Sequence, residues 1–246
     1  MKRPPVRHGL ARVLSKRGVC SRSQAAQWVQ AGRVRVDGRV VRDPEYPVVE
    51  GRHVVEVDDG RLAPPVRHYI ALNKPRGLVT TASDERGRGT VYQCLEGSGL
   101  PWMAPVGRLD KASEGLLLMC NDPAWAAVIT SPATGPDKTY HVQVDRVPHE
   151  SLLDAVRAGA AALDGEHLHA KSVRLLRAGT RNAWLEVVLD EGRNRQIRRL
   201  LSAFDLSVSR LVRVRIGAVA LGDLAKGAWR ELSPEEVASL APETMS

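Results

Sequence analysis

The segment Gly107-Arg108-Leu109-Asp110-Lys111-Ala112-Ser113-Glu114-Gly115-Leu116-Leu117-Leu118 sets one carboxylate, Asp110, in a short polar stretch just before an apolar run. An aspartate so placed can be given a single chemical job at the edge of a core. The plainer reading is a turn or N-cap aspartate. A third reading pairs Asp110 with Glu114 as the acid and base of a glycosidase. Spacing along the chain does not fix their separation, and nothing else here looks carbohydrate-specific. Familiar signatures of other chemistries are missing: no phosphate-cradling Gly-x-x-x-x-Gly-Lys, no dinucleotide glycine fingerprint and no nucleophile elbow. His167 and His169 lie two apart without a placeable third ligand, so they read as an exposed loop-to-strand pair and no metal is expected. Cys20, Cys94 and Cys120 are odd in number and far apart. They suggest neither a disulfide framework nor a metal site and fit a reducing, cytoplasmic setting.

The elements that must position Asp110 come from a chain of 246 residues, 43% hydrophobic and 26% charged, enough for one large domain and a small one. No stretch approaches the roughly 20 apolar residues of a membrane span, and no signal-peptide apolar segment is readable. Net charge is +8 and concentrated. Residues 1–42 carry eleven basic residues against one acid, Asp37, and Arg193 to Arg215 carry seven arginines against Asp205. Two basic segments on an otherwise acidic chain favour a polyanion partner, most simply nucleic acid, over two solvated faces. The N-terminal part reads as two short helices and a hairpin. Leu10, Val13 and Leu14 have helical spacing with Gly18 as a stop. Ser21-Arg22-Ser23-Gln24 reads as a capping box. Alternating Val and Arg about Asp37-Gly38 reads as a hairpin. Pro64-Pro65 marks an extended linker over 61–68 between a domain at 1–60 and a larger one at 69–246. The larger part mixes strands with short helices, an α+β pattern. Strands are expected at Tyr69 to Leu72, Gly115 to Met119, Thr139 to Val144, Ala183 to Leu189 and Leu211 to Val214. A helix is expected at Gln196 to Phe204, where Ile197, Leu200, Leu201 and Phe204 form an apolar stripe. Arg198 falls on the edge of that stripe, where it could enter a cleft. No long apolar stripe is left for a partner, so a monomer is expected.

Residues 9–56 resemble the S4 RNA-binding domain. The match rests on Leu10 to Leu14, Gly18, Ser21-Arg22, Ala25, Val29, Gly32, Arg33-Val34, Val36 and Gly38. Ser23 stands where that family often has a second basic residue. By this resemblance Arg12, Lys16, Arg22, Arg33 and Arg35 would contact RNA. Further on, five motifs occur in order: Asn73-Lys74-Pro75-Arg76-Gly77, Gly107-Arg108-Leu109-Asp110, Ser113-Glu114-Gly115-Leu116-Leu117-Leu118, Lys138-Thr139-Tyr140-His141-Val142, and Gly192-Arg193-Asn194-Arg195-Gln196-Ile197-Arg198-Arg199-Leu200. Together they resemble pseudouridine synthases of the RsuA/RluB type, which act on ribosomal RNA. Their usual Leu-Leu-Thr-Asn-Asp run is Leu118-Met119-Cys120-Asn121-Asp122 here, and Asp122-Pro123 replaces a usual turn. Cys120 reads as core.

The resemblance implies an S4-like domain followed by a catalytic domain on a mixed, mostly antiparallel sheet with flanking helices. It implies isomerisation of a flipped-out uridine in ribosomal RNA, more in the manner of the large-subunit branch, with no cofactor and no membrane. Asp110 would be the catalytic carboxylate, Arg198 its basic partner, and Tyr140 the ring that stacks on the uracil. Arg108, Arg195 and Arg199 would contact RNA, while Lys74, Pro75, Gly107 and Leu109 would support the site. The alternatives are a small-subunit substrate, or a non-catalytic RNA-binding or ribosome-assembly factor on the same scaffold.

Overall fold

A computed structural model describes residues 7–49, 51–58, 60–61, 66–82, 84, 86–162 and 165–242. Half of the expected linker, 62–65, lies outside the described residues, as do Lys2 and Arg3 of the basic N-terminal segment. Contacts divide the chain into two compact units. One is Met1–His68 with Gly97–Ala104 and Cys120–Pro123; the other is Tyr69–Glu96, Pro105–Met119 and Ala124–Ser246.

In the first unit, helices Leu10–Lys16 and Arg22–Gln30 pack on a small sheet. Its strand order is Arg39–Val40, Val34–Val36, Val55–Val57, Gly60–Arg61. Leu10, Val13, Leu14, Ala25, Val29, Val34 and Val55 form the core. The Asp37-Gly38 hairpin forms with both residues at positive φ, as a two-residue turn of this type requires. Half of the expected capping box is present. Ser21 Oγ accepts from Gln24 N at 3.1 Å, but the Gln24 side chain turns along the helix to Gln27 instead of back to Ser21. Gln27 offers a partner one turn on, so the reciprocal bond is not made.

The second unit is built on a nine-stranded, mixed and mostly antiparallel sheet, the α+β architecture expected. Its main path runs Ser172–Ala178, Ala183–Leu189, Lys138–Val144, Val208–Ile216, Glu114–Cys120, Tyr69–Lys74, Trp229–Glu231. The two central strands, Glu114–Cys120 and Val208–Ile216, pair in parallel. Every residue of Glu114–Cys120 is buried, as the unbroken apolar run demands. The helix expected at Gln196 to Phe204 stops at Ser202. Phe204 instead enters a turn closed by Asp205 at positive φ, which leads directly into the Val208–Ile216 strand.

Gly115 is what lets the two central strands meet. Its φ is +102°, and a Cβ there would lie 2.3 Å from the Arg213 carbonyl oxygen. No side chain fits without separating the parallel pair. Gly115→Ala should therefore lower the unfolding free energy by about 2–4 kcal/mol in urea titration. An unchanged midpoint would show that the close approach is not a constraint.

Candidate active site

Asp110 stands in a turn held from below by one buried ammonium. Lys74, at the end of the Tyr69–Lys74 strand, is fully buried. Its Nζ donates to the carbonyls of Pro75 at 3.0 Å, Asp110 at 3.3 Å and Ser113 at 2.8 Å. Gly77 N donates to Lys111 O at 2.8 Å, so the Lys74–Gly77 turn and the Asp110–Ser113 turn lock together. Burial pushes the Lys74 ammonium down to about 8, against the opposing pull of the Asp110, Cys94 and Glu114 charges. On the other side, Thr80 Oγ1 bridges the backbone of Leu109, donating to its oxygen at 2.8 Å and accepting from its nitrogen at 3.3 Å. Leu109 is buried and Gly107 has φ +77°. The turn is thus fixed at three consecutive backbone points while the Asp110 side chain stays free.

That side chain faces a cleft of about 540 Å³. Its walls include Arg108, Ser113, Lys138, Tyr140, Arg193, Asn194, Arg195, Arg198 and Arg213. Among the described residues the only other carboxylate lining it is Glu191, which Arg193 (2.7 Å) and Gln196 (2.6 Å) occupy. Among the described residues no group hydrogen bonds to the Asp110 carboxylate or lies within ion-pair distance of it. A free carboxylate therefore stands among cations. Two of these cations feel their setting. Burial lowers the Lys138 pKa, reinforced by Arg213. Burial also lowers that of Arg198, with Arg195 and Arg76 adding to it and Asp110 opposing.

The cleft gathers Asp110, Tyr140, Arg198, Arg108, Arg195, Gly107 and Leu109. Arg198 is not paired directly with Asp110, as the sequence had suggested. Its Nη1 donates to Val208 O at 2.8 Å and its Nη2 reaches Ala112 O at 3.5 Å. Its Nε is buried with no partner. The strand start at Val208 claims the guanidinium, which acts on Asp110 through the field alone. Arg195 adopts left-handed φ 49° at the N-cap of Gln196–Ser202, an uncommon conformation for a branched-free cation outside glycine. Arg199 lies outside the cleft lining, paired with Glu166 at 2.7 Å. Lys74 and Pro75 underlie the turn.

Glu114 supplies no second catalytic carboxylate. It is 3% exposed and bound by Arg210 and by Lys226 at 2.8 Å. Burial raises its pKa, but those hydrogen bonds outweigh burial and hold it below the usual range. In the first unit Arg12 is exposed, Arg22 pairs with Glu45 at 3.1 Å, and Arg33 pairs with Asp58 while lying 4.8 Å over the Trp28 ring. Lys16 Nζ is 3.2 Å from His8, and Arg35 is half-buried.

Sequence reasoning missed Thr80, Lys138 and Arg213. Thr80 carries no local signal. Arg213 does carry one: in the alternating run Leu211-Val212-Arg213 it shares parity with Leu211, so an arginine points to the buried face.

Residues 68–203 match the family model described as RNA pseudouridylate synthase, and residues 9–54 match that of the S4 domain. A protein of Rickettsia prowazekii (strain Madrid E) named an uncharacterized RNA pseudouridine synthase is 37% identical over 231 residues, covering 91% of this chain and 94% of that one. A protein of the same description from Mycobacterium bovis (strain ATCC BAA-935 / AF2122/97) is 38% identical over 241 residues, covering 94% and 92%. Among solved structures, a crystal structure of pseudouridylate synthase superposes with TM-score 0.65 at 27% identity, covering 96% of this chain and 100% of that one.

The Lys74 anchor gives a pH signature. Lys74 loses its proton near pH 8 when folded and near 10.5 when unfolded. Between these values the unfolded state binds more protons, so stability from this group rises with pH, by about 1 kcal/mol per pH unit. Below pH 8 the contribution is flat. Urea unfolding of the wild type measured relative to Lys74→Met, from pH 7 to 10, should show this slope; parallel profiles would contradict it.

Proposed function

The chain belongs to the RNA pseudouridylate synthase family, and on that premise we propose that it isomerises one uridine of ribosomal RNA, in the manner of the RsuA/RluB type, with Asp110 as the catalytic carboxylate. The observation that carries this is the free Asp110 carboxylate in a cationic cleft wide enough for a single base. In the reaction the N1–C1′ bond breaks, the base turns, and C5 bonds to C1′. Such chemistry needs a carboxylate beside the sugar, a pocket for an unstacked base and a grip on phosphates.

Each need has a candidate. The Lys74 and Thr80 contacts hold the Asp110 turn rigid, so the carboxylate meets the sugar without reorganising. Tyr140, 9% exposed in the cleft lining, is assigned to stack on the uracil and to assist removal of the C5 proton. Arg198, lining the same cleft, would sit beside the charge that Asp110 carries through the reaction. Arg108 and Arg195, exposed at the rim, are suited to flanking phosphates. We read large-subunit RNA as the substrate, on the Arg193-Asn194-Arg195-Gln196 sequence, and the enzyme as a cytoplasmic monomer. Its three cysteines are free, which suits a reducing compartment.

Asp110→Asn should abolish pseudouridine formation in ribosomal RNA taken from a deletion strain while RNA affinity stays within a few-fold. If the wild-type protein forms no pseudouridine in that RNA, the proposal fails and a binding-only scaffold replaces it. The S4 domain makes a separate prediction. Arg12 is exposed on the Leu10–Lys16 helix. Arg12→Ala should weaken RNA binding and reduce the slope of log affinity against log salt by about 1. An unchanged slope would remove Arg12 from the interface.

A further inference from the structure

A buried cation stands unpaired beside Tyr140. Arg213 is 5% exposed, and in the antiparallel ladder it pairs directly with Tyr140, so the two side chains are cross-strand neighbours lining the same cleft. Its Nε donates to Leu116 O at 2.7 Å, and its Nη1 reaches Arg108 O at 3.5 Å. Its Nη2 is buried and has no hydrogen-bond partner. No carboxylate among the described residues lies within ion-pair distance of it. Arg198 Nε, in the same cleft, is the other buried side-chain nitrogen without a partner among the described residues. Buried donors are ordinarily satisfied, and a buried charge ordinarily has a counter-charge. Two such guanidinium N–H groups in one cleft, next to the ring read as the stacking partner of the base, suit a ligand that brings carbonyl or anionic acceptors.

Building on the pseudouridine synthase reading above, we propose that Arg213 is a substrate-binding residue whose Nη2 donates to a carbonyl oxygen of the flipped uracil and stabilises the base while it is detached. When N1–C1′ breaks, the bonding pair stays with the base, which becomes an anion with charge shared among N1, O2 and O4. The ring then supplies the pair that forms C5–C1′, the C5 proton leaves, and N1 takes up a proton. Arg213 transfers nothing. Its contact strengthens as charge builds on the oxygen, so it favours the detached state over bound uridine and acts on rate rather than on affinity. Its links to Leu116 and Arg108 keep it aimed between the central strand and the Asp110 turn.

Single-turnover isomerisation at the uridine mapped for the wild-type protein tests this. Arg213→Met should slow the step about 10²-fold, the loss typical of one preorganised donor. RNA affinity should stay within threefold, and Arg213→Lys should recover part of the rate. A purely structural brace would also slow the step, so the deciding measurement uses RNA with 2-thiouridine or 4-thiouridine at the target. Sulfur accepts hydrogen bonds poorly, so one of the two should slow the wild type. The same substitution should add no further slowing in Arg213→Met. A wild-type rate in Arg213→Met, or fully multiplicative slowing with both thio substrates, would overturn the inference. If Arg213→Met does not fold, the same cycle is run with Arg213→Lys, which keeps the charge but lacks Nη2. Wild type active, Asp110→Asn inactive and Arg213→Met unimpaired would defeat this inference alone. An inactive wild type would defeat the reading of the enzyme itself.

Discussion

One buried ammonium organises the catalytic end of the larger unit. Lys74 has no exposure, and its three donors are spent on three backbone carbonyls, two of them in the turn that carries Asp110. A neutral side chain could fill the volume but could not satisfy three converging carbonyls. A charge without those carbonyls would carry a desolvation cost of several kcal/mol. The residue type and the turn therefore depend on each other. Pro75 follows directly and fixes the backbone that offers the first acceptor, and Gly77 closes on Lys111. Asp110 thereby inherits the rigidity of the sheet without spending its own oxygens on structure.

That division of labour sets the electrostatics. Acids near the site are either neutralised or left free, and the difference follows their positions. Glu114 sits on the central strand, where only Arg210 and Lys226 make its burial tolerable. Glu191 is held by Arg193 and Gln196. Asp110 alone among the cleft carboxylates is unpartnered, and it faces walls that carry uncompensated positive charge. A buried donor that no acceptor reaches costs about 1–3 kcal/mol. Two such donors, Arg198 Nε and Arg213 Nη2, are present.

Much of this was legible in the residues, for reasons that can be named. The fully apolar run Leu116-Leu117-Leu118 could only be a strand buried on both faces, and it is. The Asp-Gly turn between alternating valines allowed one hairpin register, and it formed. The Gly-Arg-Leu-Asp turn is local, so its context was readable. What was not readable depends on distant partners. Ser21 caps its helix, but Gln24 chose Gln27, a competition between two similar amide bonds that spacing cannot decide. Thr80 reaches Leu109 across 29 positions. Arg198 was expected to pair with Asp110 and instead donates to Val208 O, because the returning strand brings a carbonyl closer than the carboxylate. Arg213 gave a fair signal in its parity with Leu211, but a lone arginine within a basic run reads first as surface charge.

The two basic segments are alike in sequence and differ in physics. In the S4 unit Arg12, Arg22 and Arg33 are solvent-facing. Arg22 and Arg33 hold exposed carboxylates, solvent-screened pairs of a weak kind that a phosphate could displace. Arg33 also lies over Trp28, which restrains its guanidinium. The segment from Arg193 to Arg215 is not one phosphate-binding surface at all. Arg193 and Arg199 brace Glu166, Arg210 neutralises Glu114, and Arg198 and Arg213 are drawn into the cleft. Arg195, exposed in its left-handed conformation, and Arg215, exposed on the Val208–Ile216 strand, are the two of the seven that are exposed and take no part in these ion pairs. Net charge located both segments, but burial decides their work. The first can grip a polyanion wherever its backbone runs, whereas the second concentrates charge on the single point where a base would be detached from its sugar.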